Sequence, residues 1–382
     1  MNRRSALQLL SVPFAVSLAR RAHAATSDRI VIVGAGIIGA SIGYHLAKRG
    51  AEVTILEQIR PGAGATQNSF AWLNASKRPR PYYELNLMGI MGWRRLGIEM
   101  GSELQIQWGG AVEWAATRGE LRREEMHHFQ NWSYSMHELD AAGVARMLPR
   151  ITPGPVAFAT FNEIEATVAP MDALAVFLKK AQQHGAKVEF PCELTAIEMK
   201  DGRVAGIKTS KGDMPADVLV LAAGTGTTKL ARMAGVNAPL KESAGLLAHT
   251  APMPRILDRI ALAPGANIKQ NPDGRIVTGT DFEATKAARA SDEEGRKLLR
   301  NAERFIPGLG SAKLDKVTLG YRVLPADGFP IVGFAPQRPN LYIAAMHSGM
   351  TMCPIIGEMA AMEILDGATA DILSTFRPAR FA

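Results

Sequence analysis

The sequence predicts an α/β protein with two domains, one built on a parallel β-sheet and one on an antiparallel β-sheet with helices. Three observations support this fold class. A strand, a glycine turn, a helix and a second strand follow one another between residues 30 and 57. Two later apolar strands, residues 217–222 and 341–345, run into short turns, as strands that return to one parallel sheet do. Residues 246–283 instead show the short runs and turns of antiparallel strands.

The first of these segments has the spacing G-x-G-x-x-G directly after a buried strand, residues 30–33. Gly34 permits the tight turn, Gly36 lets a pyrophosphate approach the backbone, and Gly39 lets the helix pack closely on the strand. The helix N-terminus offers free N–H groups and the positive end of its dipole to phosphates. These features predict a Rossmann-like dinucleotide site.

Glu57 follows the second strand of this unit, residues 53–56. A carboxylate at that place accepts hydrogen bonds from a ribose diol and repels a 2′-phosphate. Residues 64–69 come next, in a loop of glycine and small residues that is suited to lie against a cofactor. The unit alone is equally compatible with NAD and with FAD.

The composition is that of a globular protein with a large core. The chain has 382 residues, of which 47% are hydrophobic and 21% charged, which is enough for two domains. The formal charge of +8 is not gathered in a basic stripe with interleaved aromatics, so we expect no nucleic-acid partner. Cys192 and Cys353 lie too far apart in sequence to suggest a disulfide framework or a metal site, and whether they pair stays open.

The first 24 residues resemble an export signal. Arg3 and Arg4 precede an apolar run, residues 6–19, and Ala22-His23-Ala24 fits a small-x-small cleavage site. The paired arginines predict twin-arginine export of a folded protein to the periplasm. The alternatives are an uncleaved N-terminal anchor and a cytoplasmic protein with an N-terminal extension. Peripheral membrane contact is a further expectation.

Hydrophobic periodicity and turn residues predict the remaining elements. Helices are predicted at residues 40–49, 82–100, 132–148, 173–184, 293–305 and 354–365. Strands are predicted at residues 187–190, 194–200, 203–209, 267–270, 275–279 and 317–323, and a hairpin at residues 112–115 and 119–121. The predicted nucleotide-binding domain is discontinuous and comprises residues 29–80, 150–240 and 318–370. The predicted substrate domain comprises residues 81–149 and 241–317.

With these elements in place, the chain resembles the FAD-dependent oxidoreductases of the D-amino-acid oxidase, glycine oxidase and sarcosine oxidase (DAO) group. Four features carry the resemblance, which covers residues 29–368. They are the glycine turn with Glu57, the loop at residues 64–69, Val168 with the segment LVLAAGTGT (residues 219–227), and the pair GYRVLPADGFPIVG (320–333) and AAMHSGMTMCPIIGE (344–358). The last pair is the most specific of the four.

The resemblance implies a Rossmann-like FAD-binding domain and a substrate domain of antiparallel β-sheet plus helices. It implies non-covalent FAD, because residues 318–321 lack the cysteine that tethers FAD in some sarcosine oxidases. Val168 would contact adenine through its backbone, and residues 347–351 would surround the flavin. The implied FAD-binding residues are Gly34, Gly36, Ile37, Ile38, Gly39, Glu57, Gly64, Ala65, Thr66, Asn68, Ser69, Val168, Ala223, Gly224, Gly333, His347, Ser348, Gly349, Met350 and Thr351.

Three residues are predicted to act on the substrate. Arg322 matches the family's carboxylate-binding arginine, and a guanidinium can grip a carboxylate through two parallel hydrogen bonds. The alternative for Arg322 is a salt bridge to a nearby acid. His347 would orient the substrate amine or stay neutral beside the flavin, the alternative being a loop histidine without a chemical role. Tyr321 would line the pocket.

The predicted function is FAD-dependent oxidation of the C–N bond of an amino acid or N-substituted amino acid, a small carboxylated amine. Some members of the group activate oxygen with a lysine near the flavin. Val277 stands at that position here, which favours a dehydrogenase. Oxygen, a quinone and a partner protein stay open as electron acceptors. The alternatives are a 2-hydroxy acid dehydrogenase on the same scaffold and the flavin subunit of a hetero-oligomeric dehydrogenase.

Overall fold

The computed structural model describes residues 28–241, 243–280 and 289–382. The helices of this part are α1 (Ile37–Lys48), α2 (Arg80–Met100), α3 (Gly119–Gln130), α4 (Ala141–Met147), α5 (Pro170–Gln183), α6 (Thr227–Met233), α7 (Asp292–Glu303) and α8 (Gly349–Asp366). The strands are β1 (Arg29–Val33), β2 (Glu52–Leu56), β3 (Trp72–Leu73), β4 (Ile106–Gln107), β5 (Ala111–Ala115), β6 (Met136–Leu139), β7 (Phe158–Asn162), β8 (Ala166–Val168), β9 (Lys187–Glu189), β10 (Leu194–Lys200), β11 (Arg203–Thr209), β12 (Gly212–Pro215), β13 (Val218–Leu221), β14 (Leu240–Lys241), β15 (Ala244–Thr250), β16 (Ile260–Ala263), β17 (Ala266–Gln270), β18 (Ile276–Gly279), β19 (Leu314–Tyr321), β20 (Leu324–Pro325), β21 (Ile331–Ala335) and β22 (Arg338–Ala345).

A six-stranded sheet forms the nucleotide-binding domain, in the order β21-β22-β13-β1-β2-β9. The strands from β22 to β9 run parallel, and β21 adds an antiparallel edge. Ile30 and Ile32 of β1 pack on one face of the sheet with α1, α5 and α8. Val31 and Val33 pack on the other face with α6 and strands β10 and β11. Burial on both faces explains why β1 reads as an unbroken apolar run.

An eight-stranded sheet forms the second domain, in the order β19-β15-β18-β17-β16-β5-β7-β6. Its pairings are antiparallel except that between β16 and β5. One face packs against Leu298 and Leu299 of α7. On the other face, Leu247 and Val277 pack with Phe70 of the nucleotide-binding domain. This second face therefore meets the dinucleotide-binding half of the molecule.

A buried lysine also joins the two halves. The Nζ of Lys269, on β17, donates hydrogen bonds to Thr167 Oγ1 at 2.9 Å and to the Val168 carbonyl at 2.8 Å. Lys269 is 1% exposed, and this burial lowers its pKa to about 7. The two acceptors lie on β8, so the contact fixes the second sheet relative to the segment that follows β7.

Two of the predicted elements between residues 112 and 148 are wrong. Residues 119–121 begin α3 instead of completing a hairpin, and β5 pairs with β7 and β16. Helix α3 is mostly polar and buries only Met126 and Phe129, so it gives little helical periodicity. The helix predicted at residues 132–148 is instead strand β6, a short edge strand, followed by α4. Asp140 starts α4 by accepting a hydrogen bond from the Gly143 amide at 2.6 Å.

Two boundaries near the C-terminus also differ from the prediction. Strand β19 ends at Tyr321, so Arg322 follows the strand. Helix α8 begins at Gly349 and contains Pro354, where the prediction has the helix begin. Proline lacks the N–H that would bond to the Met350 carbonyl. The Trp93 indole donates to that carbonyl at 2.7 Å instead, which lets the helix continue through Pro354.

Helix α2 lies in the part of the chain for which the sequence predicts the substrate domain. In the structure its buried side chains, among them Leu85 and Trp93, pack with α1 and α8 of the nucleotide-binding domain. The predicted export signal, residues 1–24, lies outside the described residues. Within residues 28–241, 243–280 and 289–382, no helix is long and apolar enough to cross a membrane. Cys192 and Cys353 are both buried and free.

Candidate active site

A cavity of about 450 Å³ runs between the two sheets. This volume lies in the range of small-molecule and cofactor sites. Its lining comes from the start of α1, the residues after β2, the segment from residue 62 to 78, the turn after β13, the facing strands of the second sheet and the start of α8. Elements far apart in sequence therefore meet along one continuous pocket.

The end of the cavity beside α1 is shaped by the glycine turn. Gly34 has φ +111°, and a Cβ atom there would lie 2.4 Å from the Ala222 carbonyl oxygen. A Cβ atom on Gly39 would lie 1.9 Å from the Gly34 oxygen, so the helix could not pack on β1. By contrast, a Cβ atom on Gly36 would meet only Thr66 Oγ1, at 3.4 Å. Gly34 and Gly39 are thus required by packing, whereas Gly36 keeps space free at the helix N-terminus.

Two polar side chains complete this end. Glu57 accepts hydrogen bonds from the Ala35 amide through Oε2 and from the Ile59 amide through Oε1, each at 3.1 Å. Thr66 Oγ1 accepts from the Ile37 amide at 3.0 Å. The first turn of α1 contains no acidic residue and Gly36 brings no side-chain cap. Its dipole is therefore available to phosphates, and Glu57 stands where a ribose would lie.

The cavity wall also contains Arg322, His347 and the start of α8, whose Gly349 lies beside Ile38 of α1. Arg322 is half-buried, and its Nη1 donates to Ser243 Oγ at 3.0 Å. Burial lowers the pKa of this guanidinium, which nevertheless stays protonated at neutral pH. Ser348 has φ +55° and precedes Gly349, the first residue of α8. A second helix N-terminus thus points at the cavity, which suits negative charge on a bound ring or carboxylate.

His347 stays neutral in the cavity wall. Its burial, together with the charges of Arg78 and Arg322, lowers its pKa to about 3. Arg78 Nη2 lies 2.9 Å from His347 Nδ1. A guanidinium only donates, so Nδ1 accepts and the ring proton resides on Nε2. The Tyr82 hydroxyl donates to the His347 carbonyl at 2.9 Å and fixes the backbone here.

A buried carboxyl supports the segment that carries Arg78. Glu165 is 0% exposed and accepts hydrogen bonds from the Trp72 indole at 2.7 Å, the Tyr134 hydroxyl at 2.7 Å and Ser76 Oγ at 3.3 Å. Burial raises its pKa to about 8, although the hydrogen bonds favour the ionised form. Trp72 and Ser76 line the cavity, so Glu165 stands directly behind its wall.

Most residues predicted from the sequence meet at the cavity. Its lining includes Gly34, Gly36, Ile37, Ile38, Glu57, Gly64, Ala65, Thr66, Asn68, Ser69, Ala223, Gly224, Tyr321, Arg322, His347, Ser348, Gly349 and Met350. Tyr321 is 49% exposed. Gly39 lies behind the turn, where it has the packing role expected of it.

Three predicted residues lie away from the cavity lining. Val168 is 0% exposed; its carbonyl accepts from Lys269 at 2.8 Å and its amide donates to the Ala71 carbonyl at 3.4 Å. Residues 192–194 line the cavity beside Glu57 instead. Gly333 lies against Arg377, whose Nη1 would be 2.6 Å from an added Cβ. Thr351 is 1% exposed and its hydroxyl accepts from the Asn74 amide at 3.3 Å.

The sequence reasoning missed several lining residues. Chief among them is Arg78, and others are Asn74, Lys77, Lys229, Leu247, Asn267 and Thr280. Residues 77–80 read K-R-P-R, a charged run that resembles a solvated surface segment. The only available signal was its position, since it follows soon after the predicted cofactor loop at residues 64–69.

The residues present fit a dinucleotide. Two helix N-termini face the cavity, a carboxylate stands at the end of β2, and β13 returns beside β1 with β22 next to it. This matches the site that open parallel sheets form at their carboxyl ends. The second sheet closes the cavity. The fold and the cavity together define a two-domain, dinucleotide-dependent oxidoreductase.

The chain belongs to the family of FAD-dependent oxidoreductases (DAO), whose family model matches residues 29–362. It is 26% identical over 345 residues to a glycine oxidase of Bacillus licheniformis, covering 88% of this chain and 92% of that protein. It is 26% identical over 366 residues to one subunit of the opine oxidase of Agrobacterium tumefaciens, covering 92% of this chain and 97% of that protein. The solved L-proline dehydrogenase from P. horikoshii superposes with a TM-score of 0.84 at 23% identity, covering 93% of this chain and 98% of that one.

These comparisons confirm the predicted family, fold class, enzyme class and FAD cofactor. They also confirm the predicted class of reaction, FAD-dependent oxidation of an amine or amino acid. FAD would be held by the α1 turn with Glu57, by the loop at residues 64–69 and by the start of α8.

Proposed function

We propose that this chain oxidises the C–N bond of a small carboxylated amine whose carboxylate binds Arg322. The observation that carries the proposal is the position of Arg322 in the cavity wall, near His347 and the start of α8. A guanidinium forms two parallel hydrogen bonds with a carboxylate and thereby fixes the α-carbon. Bound FAD supplies the two-electron acceptor for the hydride that leaves this carbon.

The surrounding side chains support this chemistry. His347, which is neutral with its proton on Nε2, can donate one hydrogen bond without adding a charge. Among the described lining residues, the acids are Glu57 and Glu193. For a substrate amine that enters neutral, the described residues need supply no base, because the proton that it loses after hydride transfer can pass to water. The resulting imine is hydrolysed to an amine and an oxo acid or aldehyde.

The surroundings of Val277 support a dehydrogenase. Val277 is 1% exposed and packs with Phe70, Trp72 and Leu247 between the two sheets. Valine stands here at the position where some relatives have an oxygen-activating lysine. We therefore expect a quinone or a partner protein to reoxidise the reduced flavin. The similarity of this chain to a protein named as a subunit supports a partner protein. Export to the periplasm through the paired arginines is part of the same proposal.

The test is anaerobic reduction of the purified FAD-loaded protein, followed by flavin absorbance. A panel of primary, secondary and tertiary amino acids is compared with matched 2-hydroxy acids. We expect amines, not hydroxy acids, to bleach the flavin, and a dye to reoxidise it faster than oxygen does. Protein that carries no flavin, or that is reduced only by hydroxy acids, would contradict the proposal.

Arg322→Ala tests the carboxylate site. We expect its KM for a carboxylated amine to rise by at least about 10- to 100-fold, because the loss of even one of the two charge-assisted hydrogen bonds costs about 1.5–3 kcal/mol. The control is Arg95→Ala, which removes an exposed arginine paired with Glu358 on the surface. An unchanged KM in Arg322→Ala, with FAD content equal to wild type, would rule out Arg322 as the carboxylate-binding residue.

A further inference from the structure

The second sheet contributes one row of paired residues to the cavity wall. Strands β15, β18 and β17 lie side by side, and Leu247, Gly279 and Asn267 are paired across them in register. All three line the cavity. Leu247 and Asn267 are two strand spacings apart, about 10 Å. Gly279, between them, brings no side chain, and the Leu247 side chain reaches over it, since a Cβ atom there would lie 2.8 Å from Leu247 Cδ2.

Arg322 lies against the same face of this sheet. A Cβ atom on Gly245 would be 3.2 Å from Arg322 Nη2. Gly245 stands two residues before Leu247 on β15, and residues two apart in a strand point to the same face. The guanidinium that would bind the substrate carboxylate is therefore on the same surface as Leu247 and Asn267.

Asn267 presents a hydrogen-bond acceptor to the cavity. It is 5% exposed, and its Nδ2 donates to the Thr280 carbonyl at 3.1 Å. A carbonyl oxygen only accepts, so this contact determines which atom of the amide is the nitrogen. Within the described part of the chain, no donor reaches Oδ1. A nearly buried amide oxygen in a cavity wall is thus left for the N–H or O–H group of a ligand.

The location of Asn267 favours a contact with the substrate over one with the cofactor. The groups that would hold FAD, at the α1 turn, residues 64–69 and the start of α8, all belong to the nucleotide-binding domain. Asn267 belongs to the facing sheet, the surface on which Arg322 also lies. A substrate whose carboxylate binds Arg322 would extend over the apolar Leu247 and end at Asn267.

We propose that Asn267 determines specificity by accepting a hydrogen bond from a hydroxyl or N–H group of the substrate, several bonds from the carboxylate on Arg322. This rests on the proposed function and specifies its substrate class. The substrate is an amino acid whose side chain or N-substituent carries a hydrogen-bond donor. A substrate that ends in a methyl group would bury Oδ1 without a partner, which is the costly case for a polar atom.

The experiment measures binding of unreactive carboxylates to the FAD-loaded protein by flavin difference absorbance. Each hydroxy acid is compared with the acid in which a methyl group replaces the hydroxyl: 4-hydroxybutanoate with pentanoate, 5-hydroxypentanoate with hexanoate, and 6-hydroxyhexanoate with heptanoate. None has a C–N bond to oxidise. In at least one pair we expect the hydroxy acid to bind the wild type about tenfold more tightly. If no pair favours the hydroxy acid by more than about twofold, the proposal is overturned.

Variants of Asn267 separate the hydrogen bond from a structural effect. Asn267→Leu removes the acceptor and should reverse the preference, because the methyl-terminated acid is the more apolar ligand. Asn267→Asp keeps an acceptor oxygen and should retain the preference, while its charge weakens binding of both acids alike. Asn237→Leu removes an exposed amide outside the cavity and should behave as wild type. An unchanged preference in Asn267→Leu, or in Asn267→Ala if the leucine variant does not fold, would contradict the proposal.

FAD content and flavin reduction by amines are measured on the same preparations. If Asn267→Leu loses FAD and the wild type shows no hydroxyl preference, Asn267 holds the flavin and the proposal fails. If no amine reduces the flavin but the hydroxyl preference depends on Asn267, the proposed reaction fails and the acceptor site is upheld. If amines reduce the flavin and no pair shows the preference, the reaction is upheld and the acceptor site fails.

Discussion

Glu165 illustrates how a single residue can hold an active-site wall in place. Its two oxygens accept from Trp72, Ser76 and Tyr134, and the Tyr134 hydroxyl also accepts from the Ala75 amide at 3.1 Å. These contacts fix the segment that ends at Arg78. Each buried donor would lose its partner if the carboxyl were removed, which is the costly case for buried polar groups.

The pH dependence of stability should reveal Glu165. Its pKa rises from 4.5 in the unfolded chain to about 8 in the folded protein. The folded state then binds more protons between these values, so the stabilisation present below pH 4.5 is lost as the pH rises through 8. Glu165→Gln cannot titrate, and we expect its thermal unfolding temperature to fall less steeply than that of wild type between pH 5 and 8. Parallel curves for the two proteins would contradict this assignment.

Single residues also show what the sequence could predict. The glycine turn was predictable because its requirements are local: Gly34, Gly36 and Gly39 act within six residues of one another. Arg78 and His347 are 269 residues apart in sequence, so their contact could not be predicted from local sequence patterns. Val168 lies in β8, a strand that the sequence does not predict, and its carbonyl accepts from Lys269, a residue of the second sheet.

At the scale of elements, the glycines of the G-x-G-x-x-G turn have two different functions: Gly39 allows α1 to pack on β1, and Gly36 leaves space for a pyrophosphate. A Cβ atom on Gly39 would overlap the Gly34 oxygen, whereas one on Gly36 only touches the Thr66 hydroxyl. We therefore expect Gly39→Ala to reduce the yield of folded protein. Gly36→Ala should fold but purify with little FAD, because the methyl group occupies the space for the pyrophosphate. Flavin absorbance relative to protein absorbance measures the second effect, and thermal unfolding the first. FAD content at the wild-type level in Gly36→Ala would show that this turn does not contact the pyrophosphate.

Helices and strands were predictable where their hydrophobic pattern was strong. The predictions were wrong where contacts with residues distant in sequence determine the secondary structure. Strand β13 and helix α5 follow from apolar runs and helical spacing. Helix α8 starts before Pro354, and the Met350 carbonyl that the proline leaves without its helical donor accepts from Trp93, a contact across 257 residues. Strand β6 depends on pairing with β7. Local patterns carry no information about such partners.

For the whole molecule, the cavity couples the two domains. Its lining alternates between the nucleotide-binding domain and the second sheet, and Phe70 and Lys269 add direct contacts between them. A ligand in this cavity binds only when both parts are folded. Binding energy for FAD is therefore also stability for both sheets.

We expect added FAD to raise the unfolding temperature of the whole protein in a single transition. At a free FAD concentration 100 times its dissociation constant, the stabilisation should be about 2.7 kcal/mol. Calorimetry with and without added FAD measures the shift, and Gly36→Ala serves as the control that should respond weakly. Two separate transitions, of which only one moves with FAD, would show that the domains are not coupled through this cavity.

The Arg78 guanidinium in the cavity wall has a consequence for the rate at which ligands arrive. This guanidinium projects its field from a low-dielectric cleft, which raises the local concentration of anions near its mouth. The field reaches into solvent for about 8 Å at physiological ionic strength and less at higher salt. Salt therefore slows the association of a carboxylate-bearing ligand, while its dissociation, governed by contacts inside the cavity, changes little. The ionic composition of the compartment in which the protein works thus helps to set its turnover at low substrate concentration.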